Sequence, residues 1–269
     1  MATAAYPILE TIYLSFTNTH VVDQTHAFVG LENYRILLHD PEFHGTLRFT
    51  LIFIFASTVL EIVLGLLVAL FLNARFRGRA VARTINLIPW AIPTIVAALA
   101  FQWILDDQSG MFSDWIFKLT GERPALLNSL WGARISLVLI NVWKNAPFLA
   151  IVFLAGLQGV PEELYEAARV DGANAWRRFW NVTLPMVTPL LITMAMYFVV
   201  WQLASFDLVY GLTKGGPGVA TNVLAHEIYR QAFLHSKFGF ASSISVCLMG
   251  LVAVVGLFGV ISFRRAEFR

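Results

Sequence analysis

Lys144 lies in a long apolar stretch with Asn141, Asn145 and Phe148, and the spacing i, i+3, i+4 and i+7 puts all four on one face of a helix. Phe198, Trp201, Gln202 and Ser205 repeat that spacing further on, with Asp207 just beyond them. An aromatic face beside amides and hydroxyls suits a polyhydroxylated ligand, whose C–H surface stacks while its hydroxyls need donors and acceptors. The same groups can instead join neighbouring helices by hydrogen bonds. A charge at bilayer depth costs about 2.5 to 3.5 kcal/mol on insertion scales, so Lys144 calls for a partner: Glu61, Asp207 or an anionic group on a ligand. Glu61, itself within an apolar stretch, has the character of a proton-relay carboxylate.

Other chemistries find no residues to carry them. The single cysteine, Cys247, cannot form a disulfide within the chain, and no Cys/His spacing resembles a zinc site. There is no G-x-x-x-x-G-K-[ST] phosphate loop and no G-x-S-x-G nucleophile turn. His20, His26, His39, His44, His226 and His235 all fall in polar connecting segments, away from the paired positions that haem ligation needs.

The elements that must hold these faces are membrane helices. Of 269 residues, 58% are apolar or aromatic and only 13% charged, against roughly 25% in a soluble domain. A mean hydropathy of +0.68 with 22 Phe and 8 Trp exceeds what a water-soluble interior can hide. The net charge of +2 and a pI near 8.8 are too mild, and the basic residues too dispersed, for nucleic-acid binding. Apolar stretches at 47–72, 84–105, 133–157, 186–207 and 239–263 each reach the roughly 20 residues a crossing needs, and backbone satisfaction in lipid makes them helices. Met1 to Thr17, interrupted by Glu10 and without a basic leader or a cleavage site, reads as the tail of a first span. The expected fold is all-α and polytopic: one transmembrane domain over 1–269, of six-helix type with a partial first helix at 1–17. Pro89, Pro93 and Pro147 fall inside spans and should kink or open them. Trp103, Trp115 and Trp131 read as interfacial anchors.

Basic residues set the expected orientation. Arg75, Arg77, Arg79 and Arg83 stand together without an acid, and Arg264, Arg265 and Arg269 cluster at the C-terminus, which places both segments in the cytoplasm. Threading the spans alternately leaves 158–185 inside as well. It puts 17–46, 106–132 and 208–238 outside, with Arg35, Lys118, Arg123, Lys214, Arg230 and Lys237 as their only basic residues.

Residues 158–185 are too polar for the bilayer and too patterned for a linker. Pro161 fits a first helical position, Glu162, Glu163 and Glu166 favour the positive end of the helix dipole, and Leu164, Tyr165, Ala168 and Val170 supply an apolar stripe. Gly172 permits the turn that stops this helix. A second short helix, Ala173 to Asn181, leads through Leu184 and Pro185 into the next span. A connector lying on anionic lipid would be an alternative, but the glutamates oppose it and fit a protein partner instead.

Glu166-Ala167-Ala168, three residues, Gly172, nine residues, then Val182-Thr183-Leu184-Pro185 resembles the EAA signature of permease subunits in binding-protein-dependent ATP-binding-cassette importers. Val182 stands where that family usually has isoleucine. Tyr6-Pro7-Ile8, Phe28 to Leu31 with Asn33-Tyr34, Leu70 to Asn73 and Thr213 to Pro217 are similar to the carbohydrate-uptake branch of the maltose and glycerol-phosphate type. The short 17–46 loop lacks the large outside domain of some maltose permeases.

The resemblance implies a carbohydrate permease subunit of a bacterial or archaeal inner membrane. It implies as partners a second homologous permease, two ATP-binding subunits that hold ATP and Mg, and an extracytoplasmic solute-binding protein; this chain would hold no cofactor and no catalytic site. Glu166, Ala167, Ala168, Asp171 and Gly172 would seat the ATPase contact, and Leu184 and Pro185 would pass movement to the span. Asn141, Lys144, Asn145, Phe148, Phe198, Trp201, Gln202 and Ser205 match positions that line the substrate cavity in maltose-type permeases. Lys144 leaves room for an anionic sugar derivative. Two rival classes, a proton-coupled secondary transporter working through Glu61 and an intramembrane hydrolase, lack respectively a use for the EAA loop and a nucleophile beside a base. The Lys214-Gly215-Gly216-Pro217 stretch reads mainly as a turn.

Overall fold

In the computed structural model the described residues are 2–20 and 22–267, and these hold helices joined by turns, with isolated bridges such as Thr17 to Phe28 as the only extended pairing among them. In chain order the helices are α1 (Ala2–Leu14), α2 (Glu32–His39), α3 (Pro41–Asn73), α4 (Arg79–Asn86), α5 (Ile88–Ala91), α6 (Thr94–Ile104) and α7 (Met111–Thr120). There follow α8 (Leu130–Gln158), α9 (Glu162–Val170), α10 (Ala175–Arg178), α11 (Leu184–Leu203), α12 (Asp207–Leu212), α13 (Leu224–Tyr229) and α14 (Phe238–Glu267). Four stretches, α3, α8, α10 through α11, and α14, are long and apolar enough to cross a bilayer, and the interrupted 79–104 segment makes a fifth if its pieces count as one.

Local chemistry starts these helices where they start. Asp40 Oδ1 accepts from the amide of Glu42, and Pro41 takes the first helical position of α3, where its missing N–H costs nothing. Ser129 Oγ accepts from the amide of Gly132 at the head of α8. The 84–105 stretch breaks because Ile92 is extended (φ −72°, ψ 131°) ahead of Pro93, whose ring disfavours a helical residue before it. Between α10 and α11 the helix passes through a π turn at Phe179–Thr183, just before Pro185, which has no amide to return to the carbonyl four residues back. The expected separate helix over Ala173 to Asn181 is therefore corrected: helical structure starts at Ala175 and runs on through the π turn into α11.

The chain divides into two compact units, one of Met1–Ile54, Thr94–Val138 and Val200–Val255, the other of Phe55–Pro93, Leu139–Val199 and Gly256–Arg269. The second has a core of Ala69, Leu72, Leu149, Phe153, Leu154, Leu157, Val187 and Phe198, contributed by α3, α8 and α11. Gly65 lets α3 and α8 approach: a Cβ there would lie 2.9 Å from that of Leu149. The first unit packs Leu37, Phe43, Leu224 and Ile244 together. Of the most apolar window of α8, 61% is buried, against 17% for α10–α11 and 22% for α14.

Candidate functional site

The helix pair between α8 and α11 lies open along its length. Neither α9 nor α10 has a buried residue. Pro161 caps α9 from just outside its first turn. The helix ends as Gly172 takes a left-handed conformation (φ 75°), with the amide of Ala173 donating to the carbonyl of Ala168 across a Schellman turn. Asn174 Oδ1 then accepts from the amide of Arg177 and starts α10, a cap that the Ser/Thr/Asp/Asn rule makes visible in retrospect. Tyr165 and Thr183 hydroxyls lie 3.1 Å apart and link α9 to the head of α11. Glu166, Ala167, Asp171, Gly172 and Pro185 are exposed, and Ala168 and Leu184 half-buried. Val170, expected in the packed stripe, is instead 87% exposed, because α9 has no neighbour on that side.

The polar face of α8 is already occupied from within the second unit. Asn141 and Asn145 both donate through Nδ2 to Glu61 Oε1, each at 3.0 Å, and Asn145 also donates to Asn141 Oδ1. Glu61 is wholly buried. Within the second unit Lys144 makes no ion pair with Glu61: its Nζ donates to the carbonyls of Ile92 (2.6 Å) and Trp90 (3.3 Å). Of the alternatives the sequence left open for Lys144, the pairing with Glu61 is not made, and the cause is the break at Pro93. A helix that stops leaves its last carbonyls without amide donors, and the Lys144 ammonium supplies them. Phe148 stacks on Trp90 at 5.1 Å and 21° and lies 6.3 Å from Phe198, so three rings run in series. Trp90 and Glu61 thus complete groupings that spacing along one helix could not reveal.

The second expected face loses one member. Phe198 belongs with the second unit, whereas Trp201, Gln202 and Ser205 belong with the first. Trp201 is 61% exposed, while its neighbour Gln202 is buried. Ser205 lies beyond the last residue of α11, so the i, i+3, i+4, i+7 pattern is corrected to its first three members. The chain leaves the helix here because Phe206 joins an aromatic group with Tyr210, His226 and Tyr229, its centroid 5.0 to 5.9 Å from theirs.

Within the first unit, the stretch read as little more than a Gly-Gly-Pro turn rests on a buried polar network. Thr221 donates to the carbonyl of Gly216, and Asn222 Nδ2 donates to Glu227 Oε2 at 2.5 Å. Glu227 also accepts from Arg230 and Gln231, and Arg230 reaches Glu42. His226 pairs with Asn222 Oδ1, and burial, with the Arg230 charge nearby, pushes its imidazole pKa down to about 4. Polar residues in a polar loop carry no hydropathy signal, which is why this network escaped notice.

Residues 61–267 match the family described as binding-protein-dependent transport system inner membrane component. The chain belongs to this family. Among its relatives are the trehalose/maltose transport system permease protein MalF of Thermococcus litoralis, 39% identical over 91% of this chain and 83% of that one, and the sulfoquinovosyl glycerol transport system permease protein SmoG of Agrobacterium fabrum, 34% identical over 91% and 80%. A solved bacterial ABC transporter involved in the import of the acidic polysaccharide alginate shares the fold, with a TM-score of 0.83 at 22% identity over 97% of this chain and 89% of that one. The protein is therefore a multi-pass membrane permease, a transport subunit of an ABC importer whose ATP hydrolysis resides in separate subunits. Among the described residues no group of His, Cys, Asp or Glu is placed to hold a metal ion.

Proposed function

We propose that this permease subunit imports a carbohydrate or sugar derivative, and that the α9–α10 pair is the lever through which two ATP-binding subunits drive it. The observation that carries the lever is the exposed surface of Glu166, Ala167, Asp171 and Gly172 beside a bare Val170, on helices tied to α11 by the Tyr165–Thr183 contact. Relatives named for trehalose/maltose and sulfoquinovosyl glycerol transport support the substrate class. A second homologous permease and an extracytoplasmic binding protein complete the assembly, with the C-terminus in the cytoplasm. ATP with Mg is held by the ATP-binding subunits. Nucleotide-driven closure beneath α9 then moves Leu184 and Pro185, and the spans expose the substrate path alternately to either side.

Phe148 and Phe198, backed by Asn141 and Asn145, are proposed to line that path in the second unit; Trp201, Gln202 and Ser205 are proposed separately to do so in the first. Lys144 first serves the broken helix. It attracts an anionic substrate only when the Ile92 and Trp90 carbonyls release it. Lys144→Met measures this: an unchanged preference between neutral and anionic sugars removes the attraction and leaves the helix-capping role.

The test of the lever is Gly172→Leu in the reconstituted importer. A Cβ at this position meets nothing within 4 Å, but the left-handed φ of 75° strains any side chain by about 1 to 2 kcal/mol. A melting curve of the variant is therefore read beside its uptake, and Gly172→Ala serves as the control for backbone strain alone. Membrane insertion should persist while ATP-driven uptake falls by on the order of thirtyfold, the scale of a contact hot spot. Normal uptake would refute the assignment.

A further inference from the structure

Between Glu61 and Asp106 the sequence has no acidic residue, and within that interval Arg75, Arg77, Arg79 and Arg83 follow the end of α3. Arg75, Phe76, Arg77, Arg79 and Ala80 line an open cleft of about 680 Å³. Among the described residues no carboxylate pairs with any of these arginines. Arg83 has another task, its Nη2 donating to the carbonyl of Leu72 and so holding α4 against the end of α3. The loop is also fixed by the rings of Phe71 and Phe76, 5.0 Å apart, and by Gly78 in a left-handed conformation at the head of α4.

The apolar side of this segment decides what the arginines face. On α4 and its continuation, Arg79, Arg83 and Asn86 fall on one side of the helix and Val81, Ile85 and Ile88 on the other. No residue of α4 is buried. Val81 is 61% exposed, Ile85 58%, Ile88 54% and Phe71 62%. A dissolved anion has no use for that apolar side, whereas a phospholipid layer offers phosphates to the arginine side of the helix and acyl chains to the apolar side opposite, the arrangement of a helix lying at the interface.

We infer that the α3–α4 turn is a binding site for the headgroup of an anionic phospholipid, with Arg75, Arg77 and Arg79 on the phosphate and Phe76, Val81 and Ile85 against the acyl chains. The site anchors the start of the broken 79–104 segment at the membrane surface. It needs only that the chain is membrane-embedded, and it stands apart from the lever and the substrate path.

The test uses the complete importer, extracted from membranes of mixed phosphatidylglycerol and phosphatidylcholine in mild detergent, with retained lipid measured by mass spectrometry. Wild-type complex should be enriched in phosphatidylglycerol. Arg75→Gln with Arg77→Gln and Arg79→Gln should cut that enrichment roughly tenfold or more at unchanged ATPase-subunit content, because each arginine near an anionic surface contributes several-fold. Arg75→Lys with Arg77→Lys and Arg79→Lys should keep most of it. Arg35→Gln with Lys118→Gln, at exposed sites elsewhere, should leave it unchanged. Enrichment that survives the triple glutamine change overturns the site, as does loss of ATPase subunits with lipid unaltered, which would make the arginines a protein contact. A photo-crosslinker at Phe76, in a chain that keeps all its arginines, gives a readout independent of the triple variant's folding. Crosslinks to phosphatidylglycerol support the inference, and crosslinks to an ATPase subunit overturn it.

Discussion

No residue of α9 or α10 is buried, whereas in the 220–227 stretch Thr221 and Asn222 are fully buried and His226 and Glu227 are 3% and 4% exposed. Both regions are polar, glycine-bearing connections between apolar helices, and a hydropathy profile treats them alike. Their glycines separate them. A Cβ on Gly172 would meet open space, while one on Gly215 would come within 3.2 Å of the His226 ring. One connection leaves its surface exposed, as the proposed lever requires; the other spends its polar groups on itself. The same residue types thus serve assembly in one place and architecture in the other, and the fate of the hydrogen-bonding groups tells which.

The largest effect that separates them should come from the glutamates. Glu227→Ala strips Asn222, Gln231 and Arg230 of a shared acceptor, and buried donors left unpaired cost roughly 2 to 3 kcal/mol in folding stability. Glu166→Ala should leave stability within about 0.5 kcal/mol, because its side chain faces solvent, yet reduce ATP-driven uptake. Melting curves in detergent beside uptake in proteoliposomes give both readings. A stable Glu227 variant, or a Glu166 variant that unfolds, would break the distinction.

How far the sequence disclosed these two regions follows from what fixes each. α9 could be read ahead because its acidic first turn and its glycine stop are local backbone effects, and the EAA spacing pointed to the family that the chain belongs to. The all-α, multi-span character was equally legible from composition. Lys144 could be seen but not placed, since the carbonyls of Trp90 and Ile92 become acceptors only once the helix breaks before Pro93. Ser205 was lost from its face because Phe206 turns the chain toward partners far along the sequence. The Asn222, His226 and Glu227 network depends on which polar loop residues become enclosed, a tertiary outcome with no periodicity to announce it.

Acidity should act on the 220–227 region through His226. With its folded pKa pushed down to about 4, His226 stays neutral in the native chain while the unfolded chain takes up a proton near pH 6.5. Stability contributed by this group is therefore complete above pH 6.5 and declines as pH falls toward 4, below which it changes no further. At pH 5.5 the loss relative to His226→Asn should be about 1 kcal/mol. Comparing the melting temperatures of the two proteins from pH 7.5 to 5 checks it, and parallel curves would show that His226 does not titrate in this way.

The smallest expected effect concerns two arginine–glutamate pairs of nearly equal length. Arg169 donates to Glu162 at 2.7 Å on the exposed side of α9, where the two side chains are 52% and 69% accessible; Arg230 donates to Glu227 at 2.9 Å, where the accessibilities are 23% and 5%. Water competes for the first pair and screens it, and holding two long side chains together costs entropy, so Arg169→Ala should shift folding stability by less than about 0.5 kcal/mol. Arg230→Ala should cost clearly more, since Glu227 would keep a buried charge with only amide donors. Equal losses would mean that contact distance governs these pairs. Unequal losses in the stated order would tie the difference to enclosure, the property that distinguishes the buried network from the bare helix pair.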